Sequence, residues 1–551
     1  MRRLIFTILI LTAGIAPSYA VPAKPGMVRT LTLADGTQVE AELRGDEYCH
    51  YWLASDGKAY VPDGQNRHYI PVDRNKAEDA GAMRRAKANA ARQGRAPQYV
   101  GKKRGLIILV EFPKRTSTNT PAVTFTVGEP QAYYDRVANE PGFTDEEVGF
   151  DGSVYDYFLA QSDGQFEFNF DVVGPYKLGN PYNYYGQDDS GMLDTHLGKF
   201  VYDACRKADA DVDFTQYDWD GDGTVDQLFV LYAGQGQNVN GEDAGLIWPQ
   251  EGTLNAVGSD QKPFDMDGVT IDRFACSCEL GENSQLDGIG TICHEFSHCF
   301  GLPDMYDKGT SFGATSLHYG TYVWDLMNMG NYLGGGFLPA GYTAYERMFC
   351  GWKTLTELTE TTQVEAMRPL SDGGEAYIVR NDAYPDEYYI LENRQRVGCD
   401  RGLYASGLLV CHVDYSAEAW NANDVNTTKE RFSIFAADNS WQRTEADVRG
   451  DLYPYGGNDA LTSTSTPAAT LIHPGADGTM YMRKDITGIT QNADGTISFS
   501  FTCAEPDGIA TLQGRNGEKA PSYGLDGRPI LDGKPYRYPY IQGGRIVSGN
   551  R

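Results

Sequence analysis

The 551-residue chain is short of positive charge: 47 lysines and arginines stand against 75 aspartates and glutamates, a formal net charge of −28 at pH 7. A nucleic-acid binder needs basic patches for phosphates, so that class is set aside. Apolar runs long enough to cross a bilayer are missing, because the longest, near Leu4 to Ala16, is too short for a span. Cysteines number ten, few for a scaffold stapled by disulfides. An even count in an exported chain permits pairing, and buried thiols fit equally well. Histidine is scarce as well. With eight in the chain, two placed four residues apart carry information.

What is present begins with a leader. Arg2 and Arg3 precede the apolar run, and Ser18 and Ala20 supply small residues at the positions a signal peptidase reads. Residues 1–20 therefore read as a signal peptide cut after Ala20, without a cysteine for a lipid anchor, and the expected location is secreted or cell surface. Residues 21–104 read as a pro-segment with a basic linker. Short strand-like pieces run to about residue 80, and Arg84, Arg85, Arg92, Arg95 and Lys102-Lys103-Arg104 follow. Such a stretch suits cleavage by an activating protease of trypsin-like preference.

Residues 105–360 have mixed texture. Leu106 to Val110 is a continuous apolar run expected of a buried central strand, a helix is expected over Val154 to Gln161, and a second buried strand over Gln227 to Tyr232. From 361 to 503 short apolar runs alternate with Gly and Asp turns, which predicts an all-β region. Residues 504–551 form a Gly-, Arg- and Pro-rich tail that resembles the sorting tails of exported bacterial proteins using type IX secretion; a small β-appendage of no transport role is the other reading. The expected class is α+β, a mixed domain followed by a β-sandwich-like domain.

The chemistry concentrates in His294-Glu295-Phe296-Ser297-His298-Cys299-Phe300-Gly301-Leu302-Pro303-Asp304. Histidines at i and i+4 share one helix face and can reach one ion, while Glu295 between them is placed to address a water. Gly301 lets the chain turn sharply and Pro303 stops the helix from resuming, so Asp304 can return as third ligand. Three protein ligands and one open position make catalytic rather than structural zinc. Downstream, Trp324 to Gly330 (WDLMNMG) carries a methionine suited to a hydrophobic floor under the ligands; Met327 is preferred over Met329. Tyr332 and His318 are candidates for an oxyanion partner.

Asp218, Asp220, Asp222 and Asp226 alternate with glycines in a loop, a spacing that suits calcium, although Phe229 stands where an EF-hand would need glutamate. A plain Asp/Gly turn is the other reading. Cys49 in the pro-segment could cap the zinc as a thiolate, but a buried cysteine is the simpler expectation.

The strings HEFSHCFGLPDMYD, WDLMNMG and PAGYTAYERMFCGW (Pro339 to Trp352) resemble the immune inhibitor A type of metallopeptidase. YYILENRQ (Tyr388 to Gln395) and GLLVCHVD (Gly407 to Asp414) resemble that family's C-terminal region. The resemblance implies a metzincin-like fold, zinc on His294, His298 and Asp304, Glu295 as base, an N-terminal propeptide, and protein or peptide substrates. Cys293 and Cys299 have no place in the pattern. Two other readings stay open: a surface-binding protein with an inactive peptidase domain, and a zinc hydrolase acting on a non-peptide bond.

Overall fold

A computed structural model describes residues 19–77 and 99–503 apart from short gaps, together with strands at 522–524, 529–530, 540–542 and 545–547. The leader up to residue 18, most of the basic linker and most of the tail lie outside the described residues. No described helix is long and apolar enough to cross a membrane.

The site is built on a six-stranded mixed sheet. Its order across the sheet is Tyr19–Ala20, Gln250–Thr253, Arg273–Leu280, Phe229–Gln235, Gly101–Glu111 and Phe166–Lys177. The last four run parallel, whereas Gln250–Thr253 is antiparallel to Arg273–Leu280, and Tyr19–Ala20 is antiparallel to Gln250–Thr253. The central strand explains its own apolar run. Ile107 and Leu109 enter one core while Leu106, Ile108 and Val110 enter the other, so both faces are covered. Helix Leu197–Ala208 covers the second face with Leu197, Phe200, Val201, Ala204, Cys205 and Ala208, one apolar stripe at helical spacing. Helix Ile289–Cys299, with all eleven residues buried, covers the first. The central strand starts at Gly101, so Lys102, Lys103 and Arg104 lie in the sheet rather than in an exposed linker. Lys102 pairs with Glu167 and Arg104 with Asp171 on the neighbouring strand.

Five antiparallel strands between Val28 and Val72 form a separate sheet in sequence order. Its apolar face (Leu31, Ala41, Leu43, Trp52, Tyr60) shares a cluster with Val239 and Trp248, which lie just before the strand Gln250–Thr253, so this sheet docks beside that edge. In the C-terminal region a five-stranded and a three-stranded sheet share a core that includes Val379, Leu391, Leu408, Val410, Ile486 and Phe499. The core around the site continues into this region through Ile390, Leu409, Trp420 and Phe432. Four short strands between Ser522 and Val547 form a further sheet in the tail. Cys205, Cys276, Cys278, Cys293, Cys299, Cys350 and Cys411 are buried thiols, the alternative to disulfides that the sequence left open.

Candidate metal centre and peptide cleft

The helix carrying the two histidines is held tightly by its neighbour. A side chain at Gly290 would meet the Asn331 carbonyl oxygen at 1.9 Å, so only glycine allows the segment 330–336 to lie against this helix. The helix ends where the sequence predicts. Gly301 takes φ +91° and its N–H donates to the His298 carbonyl at 2.8 Å, which turns the chain back toward the histidines.

His294, His298 and Asp304 converge, fully buried, with potential ligand atoms within 4.8 Å of one another. The two Nε2 atoms are 3.0 Å apart, and Asp304 Oδ1 lies 3.2 Å from one and 3.3 Å from the other. Each Nδ1 faces a backbone carbonyl, His294 that of Leu326 at 2.9 Å and His298 that of Leu302 at 2.8 Å. A carbonyl only accepts, so each Nδ1 donates there and each Nε2 is turned toward Asp304. Two imidazole nitrogens and a carboxylate oxygen at contact distance are a set of donor atoms that one cation could share. The donor set, two imidazoles and one carboxylate, fits zinc with an open position. Burial pushes His298 down to about 4, against the pull of Asp304, which keeps the ring neutral and ready to ligate.

Asp304 is held by partners that the sequence does not announce. Asn423, 119 residues downstream, accepts from the Asp304 N–H at 2.8 Å and donates Nδ2 to Asp304 Oδ2 at 2.7 Å. The buried Lys308 ammonium lies 3.1 Å from the same Oδ2 and donates to the Asn423 carbonyl at 2.7 Å. Burial alone would raise the Asp304 carboxyl, yet Lys308 and the histidines hold it well below its ordinary value. Asn423 sits at φ +49°, a conformation asparagine tolerates better than most residues.

Met327 is buried in the turn next to Leu326. Its N–H donates to Asp325 Oδ1 at 2.7 Å, its carbonyl accepts from Met305 N–H at 2.8 Å, and the preceding carbonyl is the one that orients His294. Met329 is only partly buried. The turn is pinned from the C-terminal region: Trp324 Nε1 donates to Asp451 Oδ2 at 2.7 Å, and Arg394 Nη1 donates to the Trp324 carbonyl at 2.9 Å. Arg394 is itself fixed by Asp400 and Glu392.

Glu295 is buried beside the ligands, and its Oε1 accepts from the Val21 backbone N–H at 2.9 Å. Tyr332 OH donates to the Pro22 carbonyl at 2.7 Å, and burial raises its phenol, so it stays a donor. His318 is engaged elsewhere, with Nδ1 2.6 Å from the Asn426 carbonyl. Cys49 packs with Tyr51 and Ala59 on the Val28–Val72 sheet, as the simpler expectation had it.

Asp218, Asp220 and Asp222 are brought together. Asp226 lies outside that group, where its carboxylate accepts from the Trp219 N–H. Loop amides already satisfy part of the cluster, including Gly221 N–H on Asp218 Oδ1 at 2.8 Å and Thr224 N–H on Asp222 Oδ1 at 2.8 Å.

Residues 91–354 match the catalytic domain of the immune inhibitor A peptidase family M6. The central segment is similar to immune inhibitor A peptidases. The pre-pro-metalloprotease PrtV of Vibrio cholerae is 24% identical over 292 residues, covering 45% of this chain and 30% of PrtV. Immune inhibitor A of Bacillus thuringiensis subsp. alesti is 24% identical over 286 residues, covering 45% of this chain and 40% of that protein. The chain thus spans less than half the length of these curated relatives, whose names describe metalloproteases.

Proposed function

We propose that the protein is an exported, zinc-dependent endopeptidase that hydrolyses peptide bonds in extracellular proteins and is made as a latent precursor. The observation that carries this reading is the convergence of two imidazole Nε2 atoms and Asp304 beside Glu295, whose carboxylate contacts a peptide N–H. His294, His298 and Asp304 would hold the metal, which when bound supplies Lewis acidity for the scissile carbonyl. Asp304 is kept ionised by Lys308, and the imidazoles are aimed by the Leu326 and Leu302 carbonyls. Glu295 is the general base: its carboxylate takes a proton from the attacking water and returns it to the leaving nitrogen. Burial of the site excludes bulk water and strengthens each of these contacts.

A metzincin-like fold is supported by the mixed sheet, the buried helix upon it and Met327 in the turn beneath His294. The two C-terminal sheets sharing a core support a sandwich-like domain whose role includes bracing Asp304 through Asn423. Calcium at Asp218, Asp220 and Asp222 is a structural role we assign to that loop. An activating protease would act in the basic linker before residue 99.

The test is hydrolysis of casein by the linker-cleaved protein beside Glu295→Ala, with zinc measured on both. Activity confined to the parent while both carry zinc is the expected result. Equal activity in both, or none despite bound zinc and a removed pro-segment, would overturn the reading in favour of a binding protein or a non-peptide hydrolase.

A further inference from the structure

Two carboxyl groups meet at the turn that orients His294. Asp325 is fully buried, and both of its side-chain oxygens accept a bond, Oδ1 from the Met327 N–H at 2.7 Å and Oδ2 from Thr321 Oγ1 at 2.9 Å. Its backbone carbonyl accepts from the Asn328 and Gly330 N–H groups at 3.1 and 2.9 Å. A side chain at Gly330 would meet that carbonyl oxygen at 2.5 Å, so the chain closes tightly around Asp325. Leu326 lies between Asp325 and Met327, and its carbonyl takes the His294 Nδ1 bond at 2.9 Å.

The second carboxyl is Glu346, on helix Ala344–Phe349. It closes a capping box, with Oε2 accepting from the Thr343 N–H at 2.7 Å and from Thr343 Oγ1 at 3.2 Å. Glutamates are seldom buried without a partner of opposite charge. Glu346 is fully buried, its Oε1 receives no N–H or O–H among the described residues, and its carboxyl is hydrogen-bonded to Asp325. Two carboxylates offer acceptors alone, so a bond between them needs a proton on one. No cation replaces that proton. Arg394 acts on Asp325, yet its five N–H bonds go to Asp400, Glu392 and the carbonyls of Trp324 and Gly341. Donors on both Asp325 oxygens favour its ionised form, which leaves the proton to Glu346. Burial and the neighbouring Asp325 push the Glu346 carboxyl well above its ordinary range.

We propose that Glu346 is a positioning residue of the metal centre, a neutral carboxylic acid that donates to Asp325 and so fixes the turn whose Leu326 carbonyl aims His294. This rests on the metal-site reading and deepens it. The relay has three bonds: Glu346 to Asp325, Met327 N–H to Asp325, and His294 Nδ1 to the Leu326 carbonyl between them. A charged carboxylate at 346 would repel Asp325, and an apolar side chain would leave Asp325 one donor short. Either change loosens the carbonyl that orients a ligand, and outer partners of this kind tune metal affinity.

The experiment measures zinc affinity by chelator competition in the full native chain, Glu346→Gln and Glu346→Ala. Glutamine is uncharged, donates through Nε2 and accepts through Oε1, so Glu346→Gln should bind zinc as the native chain does. Glu346→Ala should bind about 10- to 100-fold more weakly, the range for loss of an outer partner. Infrared spectra of the same proteins in neutral D2O supply the direct signature. The native chain should show a protonated-carboxyl band that Glu346→Gln lacks, which a purely structural contact of an ionised glutamate would not give. Should Glu346→Ala fail to fold, the glutamine variant and the infrared difference decide. Zinc bound about tenfold or more weakly by Glu346→Gln, or the same carboxyl bands in it and the native chain, would overturn the inference. A native chain that shows the band and binds no zinc would refute the metal-site reading, and the positioning role with it, while leaving the shared proton in place.

Discussion

Asn423 holds Asp304 at both its ends, accepting from the backbone N–H at 2.8 Å and donating to Oδ2 at 2.7 Å. The proposed third metal ligand is therefore positioned by a residue of the C-terminal β region. Asn423→Gly preserves the positive φ while removing the amide. Loss of an outer partner of a ligand should weaken zinc by about 10- to 100-fold. Chelator competition measures the affinity directly, and unchanged affinity would reduce Asn423 to a structural contact.

Glu295 should be separable from metal binding, since it lies beside the ligands and is not one of them. Glu295→Gln is expected to lower kcat by about 10²- to 10⁴-fold, the range for a lost general base, while zinc content stays at one per chain. Parallel loss of zinc would show that Glu295 serves the metal and not the proton.

Removing the metal should destabilise the fold around the site. The two Nε2 atoms and Asp304 Oδ1 lie within 3.3 Å of one another, so a shared cation would tie the helix to the turn that follows it. Zinc at a thousand times its dissociation constant would stabilise by about 4 kcal/mol. Chelation should therefore lower Tm by several degrees in a calorimetric scan, with recovery on adding zinc back.

Asp451 accepts from Trp324 Nε1 at 2.7 Å and Tyr319 OH at 2.9 Å, yet burial lifts its carboxyl from an ordinary 3.8 to about 7. The folded state binds this proton more tightly than the unfolded one. Its contribution to stability is complete below about pH 4 and is lost as pH rises through about 7. Asp451→Asn keeps an acceptor and removes the titration, so its Tm should fall less between pH 5 and 7.5 than that of the parent. Identical slopes would place the ionisation elsewhere.

Calcium is expected to raise Tm through Asp218, Asp220 and Asp222, and Asp220→Asn or Asp222→Asn should abolish that rise. If millimolar calcium leaves Tm unchanged, the loop is an Asp/Gly turn held by its own amides.

The sequence by itself determined the elements whose information is local. Two histidines four apart, a glycine that can take φ +91° and a proline that stops a helix are sufficient to write the site helix and the turn that brings back Asp304. The alternating burial of Leu106 to Val110 and the buried Met327 follow from the same short-range rules. The basic run at Lys102 to Arg104 misled because charge on the end of a strand resembles a linker until its partners, Glu167 and Asp171, are known.

Only the tertiary structure decided the rest. Asn423 reaches Asp304 across 119 residues, Arg394 and Asp451 pin the turn at Trp324 from the C-terminal region, and Val21 meets Glu295 across 274 residues. Neither asparagine nor a backbone amide has a spacing that marks such a role. Contacts of this kind exist because sheets and cores bring distant segments to one place, and hydrogen bonding there depends on distance and direction rather than on position along the chain.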